Sequence, residues 1–262
     1  MPTALITGAS GGIGAAFAAE LAKRQHNLIL VARSEAKLQQ LAAQLQQEFN
    51  ILVEIIVQDL TAPGATNAVF EAVVEKGWTV DLLVNNAGFG DYGAFADRPL
   101  AKQVEMLQLN IVALVELSHL FLSGMRDRKS GSIINVSSIA AFQPMPYLSI
   151  YAATKAFVLS FSEALWAENK GYGVSVLAVC AGPTESDFFK AAEFPKSLAS
   201  SSGQKLVPAD EVVRDALKAL EKNESNVVTG GFLNQIIVNM PRLMPRELLV
   251  KSVEKVFRSK AG

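Results

Sequence analysis

The sequence predicts one α/β domain, spanning residues 1–262, built on a doubly wound parallel sheet of about seven strands. Two observations lead to this prediction. Short apolar runs alternate with helical patterns along the whole chain, which is typical of a parallel sheet whose right-handed crossovers place helices on both faces. The chain has 262 residues, of which 50% are hydrophobic, and this suits one domain with a full core.

Each strand is predicted from a short apolar run bounded by turn residues. The predicted strands are residues 3–7, 27–32, 52–57, 80–84, 131–136, 174–179 and 226–229. The predicted helices are residues 15–24, 34–48, a segment within 63–76, 100–125, 151–169, 208–222 and 247–257. We expect Ser34 to cap the second helix, and residues 184–206 to be irregular.

A glycine-rich loop lies between the first strand and the first helix. It reads Thr7-Gly8-Ala9-Ser10-Gly11-Gly12-Ile13-Gly14. Glycines permit a tight turn and a close approach of backbone to ligand, and a strand–loop–helix of this kind holds a pyrophosphate on backbone N–H groups and a helix N-terminus. The alternative is a glycine-rich turn with no ligand. The position of the loop favours nucleotide binding.

Tyr151 and Lys155 are four positions apart, so a helix places them on one face. A lysine ammonium beside a phenol favours the phenolate and lowers the tyrosine pKa from about 10. Such a tyrosine exchanges a proton near neutral pH. The pair alone is a common pattern, but Ser138 stands 13 residues before Tyr151, and this context makes a catalytic role the better hypothesis.

Composition argues against several other classes of protein. A net charge of −1 gives no support for nucleic-acid binding. The first strand begins near residue 1 and no run of about 18 apolar residues occurs, so neither a secretory signal nor a membrane span is expected. Cys180 is the only cysteine, which suits a cytoplasmic protein without disulfides. His26 and His119 lack partners at metal-ligand spacing, so no metal is expected.

Taken together, these motifs are similar to those of the short-chain dehydrogenase/reductases, over about residues 1–230. The matching features, in order and spacing, are Thr7-Gly8-x-x-x-Gly12-x-Gly14, Asn85-Asn86-Ala87-Gly88, and Ser138 with Tyr151 and Lys155. The glycine spacing resembles the dehydrogenase branch more than the epimerase branch. The resemblance implies a Rossmann fold and an oxidoreductase with a nicotinamide cofactor.

The resemblance implies four catalytic residues. Tyr151 is expected to act as the general acid in reduction, while Lys155 lowers its pKa and bonds the nicotinamide ribose. Ser138 is expected to donate to the substrate carbonyl oxygen, and its neighbour Ser137 to point the other way. Asn110 is similar to the family asparagine that holds a water linking Lys155 to solvent. The alternative for Asn110 is a helix residue that bonds to backbone.

The end of the second strand predicts NADP(H) as the cofactor. An NAD-selective site usually carries an acidic residue there, bonded to the ribose 2′-OH. This strand ends Val31-Ala32-Arg33-Ser34, with no carboxylate. We expect Arg33 to pair with a 2′-phosphate, and Ser10 and Ser34 to add hydrogen bonds. The alternative is that Arg33 is a solvated loop charge.

The resemblance also implies further cofactor contacts. Asp59 is expected to bond the adenine amine, and Thr184 and Ser186 the carboxamide. The full expected set is Gly8, Ser10, Gly12, Ile13, Gly14, Arg33, Ser34, Asp59, Leu60, Asn86, Ala87, Gly88, Tyr151, Lys155, Thr184 and Ser186. The segment Ala181-Gly182-Pro183-Thr184-Glu185-Ser186 departs from the family, which usually has Pro-Gly and then a threonine four residues after that glycine. We expect this departure to alter loop entry without removing activity.

Two segments are expected to border the substrate. Residues 185–207 lie where the family places its substrate lid, and residues 142–148 precede Tyr151. Their aromatic and apolar side chains predict an apolar pocket and a hydrophobic ketone or aldehyde substrate, fatty-acyl or steroid-like. The alternative is that several of these aromatics belong to the core.

A C-terminal extension, residues 232–262, lies beyond the usual core. It carries cations at Arg242, Arg246, Lys251, Lys255, Arg258 and Lys260 around an amphipathic helix. The expected role is packing over the cleft or against a partner subunit, and association with a membrane surface is the alternative. The resemblance implies a homodimer or homotetramer that pairs through the helices at 100–125 and 151–169.

The leading interpretation is an NADPH-dependent carbonyl reductase whose partner is a small-molecule carbonyl or alcohol. Two alternatives remain. One is a non-catalytic NADPH-binding sensor, against which the complete set of four catalytic residues argues. The other is an NAD-linked alcohol dehydrogenase that works oxidatively, which the Ala32-Arg33 ending disfavours.

Overall fold

The structure, a computed structural model, describes residues 1–195 and 206–258. Its strands are β1 Thr3–Thr7, β2 Asn27–Ala32, β3 Val53–Val57, β4 Leu82–Asn85, β5 Gly131–Ser138, β6 Val174–Ala181 and β7 Asn226–Val228. They form one sheet in the order β3-β2-β1-β4-β5-β6-β7, and all neighbouring strands pair in parallel. The doubly wound α/β fold predicted from the sequence is confirmed.

Helices connect the strands and surround the sheet. They are α1 Gly12–Lys23, α2 Glu35–Phe49, α3 Ala65–Glu75, α4 Leu100–Leu107, α5 Leu114–Asp127, α6 Ser149–Asn169, α7 Phe188–Ala191, α8 Ala209–Glu221, α9 Phe232–Asn239 and α10 Arg246–Arg258. The predicted helices differ from these mainly by a few residues at their ends. The C-terminal extension consists of α9, a short turn and α10.

Alternating residues of the central strands pack into two cores, one on each face of the sheet. In β1, Ile6 belongs to a core shared with α1, α2 and α8, whereas Leu5 belongs to a core shared with α3 and α5. Successive strand residues point to opposite faces, so an apolar strand contributes to both cores. This explains why the strands are continuous apolar runs in the sequence.

One long helical rod, Leu100–Asp127, joins α4 to α5 through a π-helical segment, Gln108–Ala113. By length and composition alone this rod is sufficient to cross a membrane, with a mean hydropathy of 1.5 in its most apolar window. The rod contains no uninterrupted run of 18 apolar residues, as predicted, because polar residues such as Asn110 and Glu116 interrupt it. Leu117 and Phe121 are buried against the sheet, so the rod serves as a core helix of this domain.

Two local predictions, the capping role of Ser34 and the irregular segment at 184–206, were wrong. Ser34 precedes α2, but its side chain makes no capping hydrogen bond, and the residue lines the large cleft described below. The segment predicted to be irregular contains the short helix α7, and Thr184 forms a strand-like bridge with Val207. Residues 196–205 of the predicted lid lie outside the described part of the chain.

Candidate active site

A cleft of about 910 Å³ opens along the carboxyl ends of the strands. Ligands bind at this edge of a doubly wound sheet, where the strand order reverses, and that point lies between β1 and β4. Every predicted cofactor or catalytic residue lines the cleft except Gly14 and Asn110. The structure thus brings the predicted site together from segments that are far apart in the sequence.

Thr7 and Asn86 join the ends of β1 and β4. The Thr7 hydroxyl accepts hydrogen bonds from the backbone N–H groups of Asn86 and Ala87, both at 3.0 Å, and the Asn86 amide donates to the Thr7 carbonyl at 2.9 Å. Gly8 has a φ of 66°, and a Cβ on Gly14 would overlap the Gly8 carbonyl oxygen. Glycine is therefore required at both positions for this loop to turn as tightly as it does.

The N-terminus of α1 opens into the cleft at the glycine loop. Its first turn carries no acidic residue, so no side chain of that turn neutralises the positive end of the helix dipole. A Cβ on Gly11 would meet no atom within 4 Å, which leaves space directly beside the loop backbone. These features fit the pyrophosphate of a dinucleotide cofactor.

Two cations stand near the ends of β2 and β3. Arg33 has a side chain that is 67% exposed, with its guanidinium 3.8 Å from the carboxylates of Asp59 and Glu105. Lys37, in the first turn of α2, lines the same cleft as Arg33 and Ser34. Sequence reasoning missed Lys37, although its place only four positions after Arg33 was a usable signal. Two cations and a hydroxyl suit a phosphate group.

Asp59 follows β3 and is held by Thr61. Its Oδ1 accepts hydrogen bonds from the Thr61 backbone N–H at 3.0 Å and from the Thr61 hydroxyl at 2.8 Å. These bonds, helped by the charge of Arg33, lower the pKa of the Asp59 carboxyl, although partial burial opposes them. The carboxylate is therefore ionised and fixed at the edge of the cleft, with Oδ1 already engaged.

Ser138, Tyr151 and Lys155 lie together in the cleft. Ser138 ends β5, and the other two lie on α6. The Ser138 hydroxyl hydrogen-bonds with the Tyr151 phenol and accepts from the backbone N–H of Ala140 at 3.1 Å. Ser137 instead donates to the Lys155 carbonyl at 2.8 Å. The serine beside the phenol is thus Ser138, as the family spacing implied.

The Lys155 ammonium lies near the Tyr151 ring but is held by a backbone carbonyl. Its Nζ lies 5.8 Å from the centre of the Tyr151 ring and donates to the Val136 carbonyl at 2.8 Å. Burial raises the pKa of Tyr151 to about 12, and the bond with Ser138 only partly offsets this. The net pKa of Tyr151 is therefore raised rather than lowered, because burial dominates, and the contribution of Lys155 stays a prediction. The phenol keeps its proton at neutral pH.

Lys155 is only 6% exposed, and burial lowers its pKa to about 8. We therefore expect kcat/KM for carbonyl reduction to fall about tenfold per pH unit above about pH 8, because the ammonium that would stabilise a Tyr151 phenolate loses its proton there. Lys155→Arg should be slow but free of this inflection, since a guanidinium stays charged. A wild-type profile that stays flat to pH 10, measured by steady-state kinetics, would contradict the assignment.

Asn110 lies buried in the π-helical segment. Its amide donates to the Phe89 carbonyl at 3.0 Å and to the Thr154 hydroxyl at 3.1 Å, and its Oδ1 accepts from the Phe89 N–H at 3.1 Å. The side chain thus ties the loop after β4 to α6. The alternative prediction, that the Asn110 side chain bonds to backbone, describes these hydrogen bonds. The π-helical geometry around Asn110 disturbs the usual backbone pairing of the helix. The water-holding role stays a prediction.

Thr184 and Ser186 lie opposite the glycine loop. The Thr184 hydroxyl donates to the Gly182 carbonyl at 2.9 Å, and the Ser186 hydroxyl donates to the Thr184 carbonyl at 3.3 Å. A Cβ on Gly12 would lie 3.1 Å from the Ser186 Cβ. The departure from the family pattern thus keeps Ser186 at the cleft, with its hydroxyl engaged inside its own loop.

A chain of aromatic rings runs from Tyr151 along one wall. The ring centres of Tyr151 and Phe188 are 5.2 Å apart, and those of Phe188 and Phe189 are 5.7 Å apart. Phe194 continues the chain at 5.3 Å from Phe189 and 5.1 Å from Tyr92. The three phenylalanines line the cleft. The apolar pocket predicted from these residues is therefore present beside the phenol.

A cluster of ion pairs holds this wall in place. Arg98 donates to Asp91 at 2.8 Å, and Lys102 pairs with Asp91 at 2.8 Å. The same two cations reach Glu193, just after α7, at 2.9 and 2.7 Å. Burial opposes ionisation of Asp91, yet the two cations keep its pKa lowered. Sequence reasoning missed this cluster because Glu193 is far from the others in the chain.

Helices α9 and α10 form the far side of the cleft. Leu233 and Ile237 of α9 and Val256 and Phe257 of α10 line it, and the Tyr92 hydroxyl donates to the Phe257 carbonyl at 3.0 Å. Packing of the extension over the cleft, the first of its expected roles, agrees with this arrangement. Residues 259–262 of the extension lie outside the described part of the chain.

Comparison with known proteins gives a consistent result. The family model for short chain dehydrogenases matches residues 2–196. A very-long-chain 3-oxoacyl-CoA reductase of Anas platyrhynchos is 32% identical over 263 residues, which cover 97% of this chain and 80% of that protein.

Solved structures extend this similarity to the fold. A short-chain dehydrogenase from Sphingobium yanoikuyae in complex with NADPH is 35% identical, with a TM-score of 0.80 over 87% of each chain. The bulky-bulky ketone specific alcohol dehydrogenase from Comamonas testosteroni is 31% identical, with a TM-score of 0.78 over 93% of this chain and 92% of that one.

Proposed function

Because the chain belongs to the short-chain dehydrogenase family of oxidoreductases, whose enzymes use a nicotinamide cofactor, we propose that it is an NADPH-dependent reductase of hydrophobic ketones or aldehydes. One observation carries this proposal. A phenol that is protonated at neutral pH, that of Tyr151, lies beside the Ser138 hydroxyl in a cleft with an aromatic wall. This arrangement supplies a proton and a hydrogen bond to one carbonyl oxygen.

The chain's own residues handle the oxygen and the proton. A hydride for the carbonyl carbon is the chemistry that the cofactor supplies when bound. Ser138 donates a hydrogen bond to the carbonyl oxygen, where negative charge grows, and Tyr151 transfers its phenolic proton to that oxygen to give the alcohol. Lys155, held on the Val136 carbonyl with its Nζ 5.8 Å from the centre of the Tyr151 ring, supplies a positive charge near the resulting phenolate.

The preference for NADPH is supported by charge at the end of β2. Arg33, Lys37 and Ser34 line one part of the cleft, and no carboxylate follows β2 directly. Guanidinium and ammonium groups bind phosphate through charge-assisted hydrogen bonds. The NADPH complex of the similar Sphingobium enzyme points in the same direction.

The preference for a hydrophobic substrate is supported by the wall of the cleft. Phe188, Phe189 and Phe194 continue from Tyr151, and the extension adds four more apolar side chains. Burial of apolar substrate surface against such walls favours binding. Two of the similar proteins are named for a very-long-chain acyl thioester and for bulky ketones.

A panel of carbonyl compounds tests this function. We expect kcat/KM with NADPH to be about 100-fold higher for long-chain or bulky ketones than for small polar sugars, because about four buried methylene groups contribute that much. Phe188→Ala should narrow the difference, whereas Tyr172→Ala, remote from the cleft, should leave it unchanged. Turnover of sugars alone would overturn the substrate class. Tight NADPH binding without any turnover would favour the non-catalytic NADPH-binding sensor. Turnover that prefers NAD and alcohol substrates would favour the oxidative alcohol dehydrogenase.

We retain the sequence-based expectation of a homodimer or homotetramer in the cytoplasm as a proposal. The α6 surface supports it, because Phe157 is 40% exposed and stacks on Phe161 with ring centres 5.7 Å apart. An exposed aromatic ring stacked on a partly buried one suits a subunit contact. A monomer in solution by light scattering would contradict it.

A further inference from the structure

An apolar stripe runs along the outer face of the C-terminal extension. Phe232 and Ile236 are four residues apart, so they share one face of α9, and Met240, the first residue after the helix, continues the same spacing. Their exposed fractions are 80%, 47% and 43%, and Leu243 directly after them is 86% exposed. We call these four residues the outer stripe. Large apolar side chains grouped in this way on a surface mark an interaction site.

The extension that carries the outer stripe is rich in cations. Residues 232–258 contain five of them, at Arg242, Arg246, Lys251, Lys255 and Arg258, against two carboxylates, while the whole chain has a net charge of −1. Arg258 pairs with Glu254. Within the part of the chain that the structure describes, none of the other four cations has a carboxylate within 4 Å. Their charge is available to an external anionic partner.

The cations of α10 lie on its outer side. Lys251, Lys255 and Arg258 are exposed, whereas Leu249 is buried and Val253 is partly buried on the opposite side. An exposed cationic helix face, combined with exposed apolar side chains in the same extension, has the composition of a segment that lies on a lipid surface. The positive charge alone would suit any anionic partner. The outer stripe narrows the choice to an anionic partner that also has an apolar interior.

The inner side of the same two helices lines the cleft. Leu233 and Ile237 stand on α9, and Phe257 on α10. On α9 the cleft-lining residues directly follow Phe232 and Ile236 of the outer stripe, so the stripe and the cleft occupy neighbouring faces of the same helix. A partner bound to the outer stripe would lie next to the mouth of the cleft.

We propose that the outer stripe docks on the surface of an anionic lipid bilayer, with Phe232 and Leu243 entering the headgroup boundary and Arg242 and Arg246 contacting lipid phosphates. A second copy of the chain fits less well, because a two-fold contact would bring the same uncompensated cations together. Binding of lipid does not depend on the proposed reaction, so the two can fail separately.

Vesicle flotation of the full chain tests the docking. We expect the wild type to bind vesicles of phosphatidylcholine with 30% phosphatidylserine about tenfold more than phosphatidylcholine alone, and to be released by salt. Arg242→Gln with Arg246→Gln should reduce the binding about tenfold, and Phe232→Ser with Leu243→Ser should abolish it.

Matched controls separate the stripe from general surface effects. Lys218→Gln with Lys222→Gln removes two exposed charges, one in the last turn of α8 and one directly after it. Leu52→Ser with Val74→Ser removes two apolar side chains that are 60% and 57% exposed. Both control variants should bind the anionic vesicles as strongly as the wild type does. Equal binding by the stripe variants, or no binding of the wild type, would overturn the proposal. So would unchanged lipid binding with a dimer-to-monomer shift in light scattering, which would assign the stripe to a second copy.

Discussion

Replacing Tyr151 with phenylalanine is expected to lower kcat for ketone reduction about 10³-fold while NADPH still binds. The change removes one hydroxyl, the proposed proton donor, and general acid catalysis of this kind contributes roughly 10²–10⁴-fold. The ring remains, so its contact with Phe188 at 5.2 Å is preserved. The loss should therefore appear in kcat rather than in the fold or in cofactor affinity.

The measurement is NADPH consumption followed by absorbance, combined with NADPH titration by fluorescence. Tyr147→Phe is a matched control, because it removes another phenol of the same aromatic cluster that is not bonded to Ser138. It should keep kcat within about threefold of the wild type. A Tyr151→Phe variant with kcat close to that of the wild type would show that another group donates the proton.

Replacing Arg33 with aspartate is expected to reverse the cofactor preference. A charge-assisted hydrogen bond contributes about 1.5–3 kcal/mol, so its loss should weaken NADPH binding about 10- to 100-fold. The new carboxylate would also stand near Asp59 and Glu105, which lie 3.8 Å from the guanidinium, and together these charges would repel a 2′-phosphate. The ribose 2′-hydroxyl of NADH could donate a hydrogen bond to the same carboxylate, so the affinity for NADH should increase.

The ratio of kcat/KM for NADPH to that for NADH reports this change. Lys222→Asp, a charge reversal at the end of α8, should leave the ratio as in the wild type. Lys37→Gln should lower the ratio of kcat/KM for NADPH to that for NADH without reversing the cofactor preference, since Arg33 remains. An unchanged ratio in the Arg33→Asp variant would refute the assignment of the phosphate site.

The fold could be predicted because its signals are local. Strand β1, the glycine loop and α1 follow one another in the sequence, and each central strand is apolar throughout because both faces of the sheet are covered. Parallel pairing then follows from the strand–helix alternation, and right-handed crossovers place helices on both faces. The positions of Ser138 and Tyr151 followed in turn, because one ends a strand and the other lies on the next helix.

The features that escaped prediction depend on contacts across the chain. The direction of the Lys155 ammonium is set by the Val136 carbonyl, and its pKa by burial. The π-helical turn at Asn110 accompanies bonds to Phe89 and Thr154. Spacing in the sequence reports neither burial nor such partners.

The most direct test of the central claim is the carbonyl panel run with NADPH that carries deuterium at the transferable position of C4. The account predicts alcohol products from the hydrophobic ketones with one deuterium on the carbinol carbon, formed about 10³-fold more slowly by Tyr151→Phe than by the wild type. Alcohol without deuterium, or equal labelled product from both proteins, would contradict it.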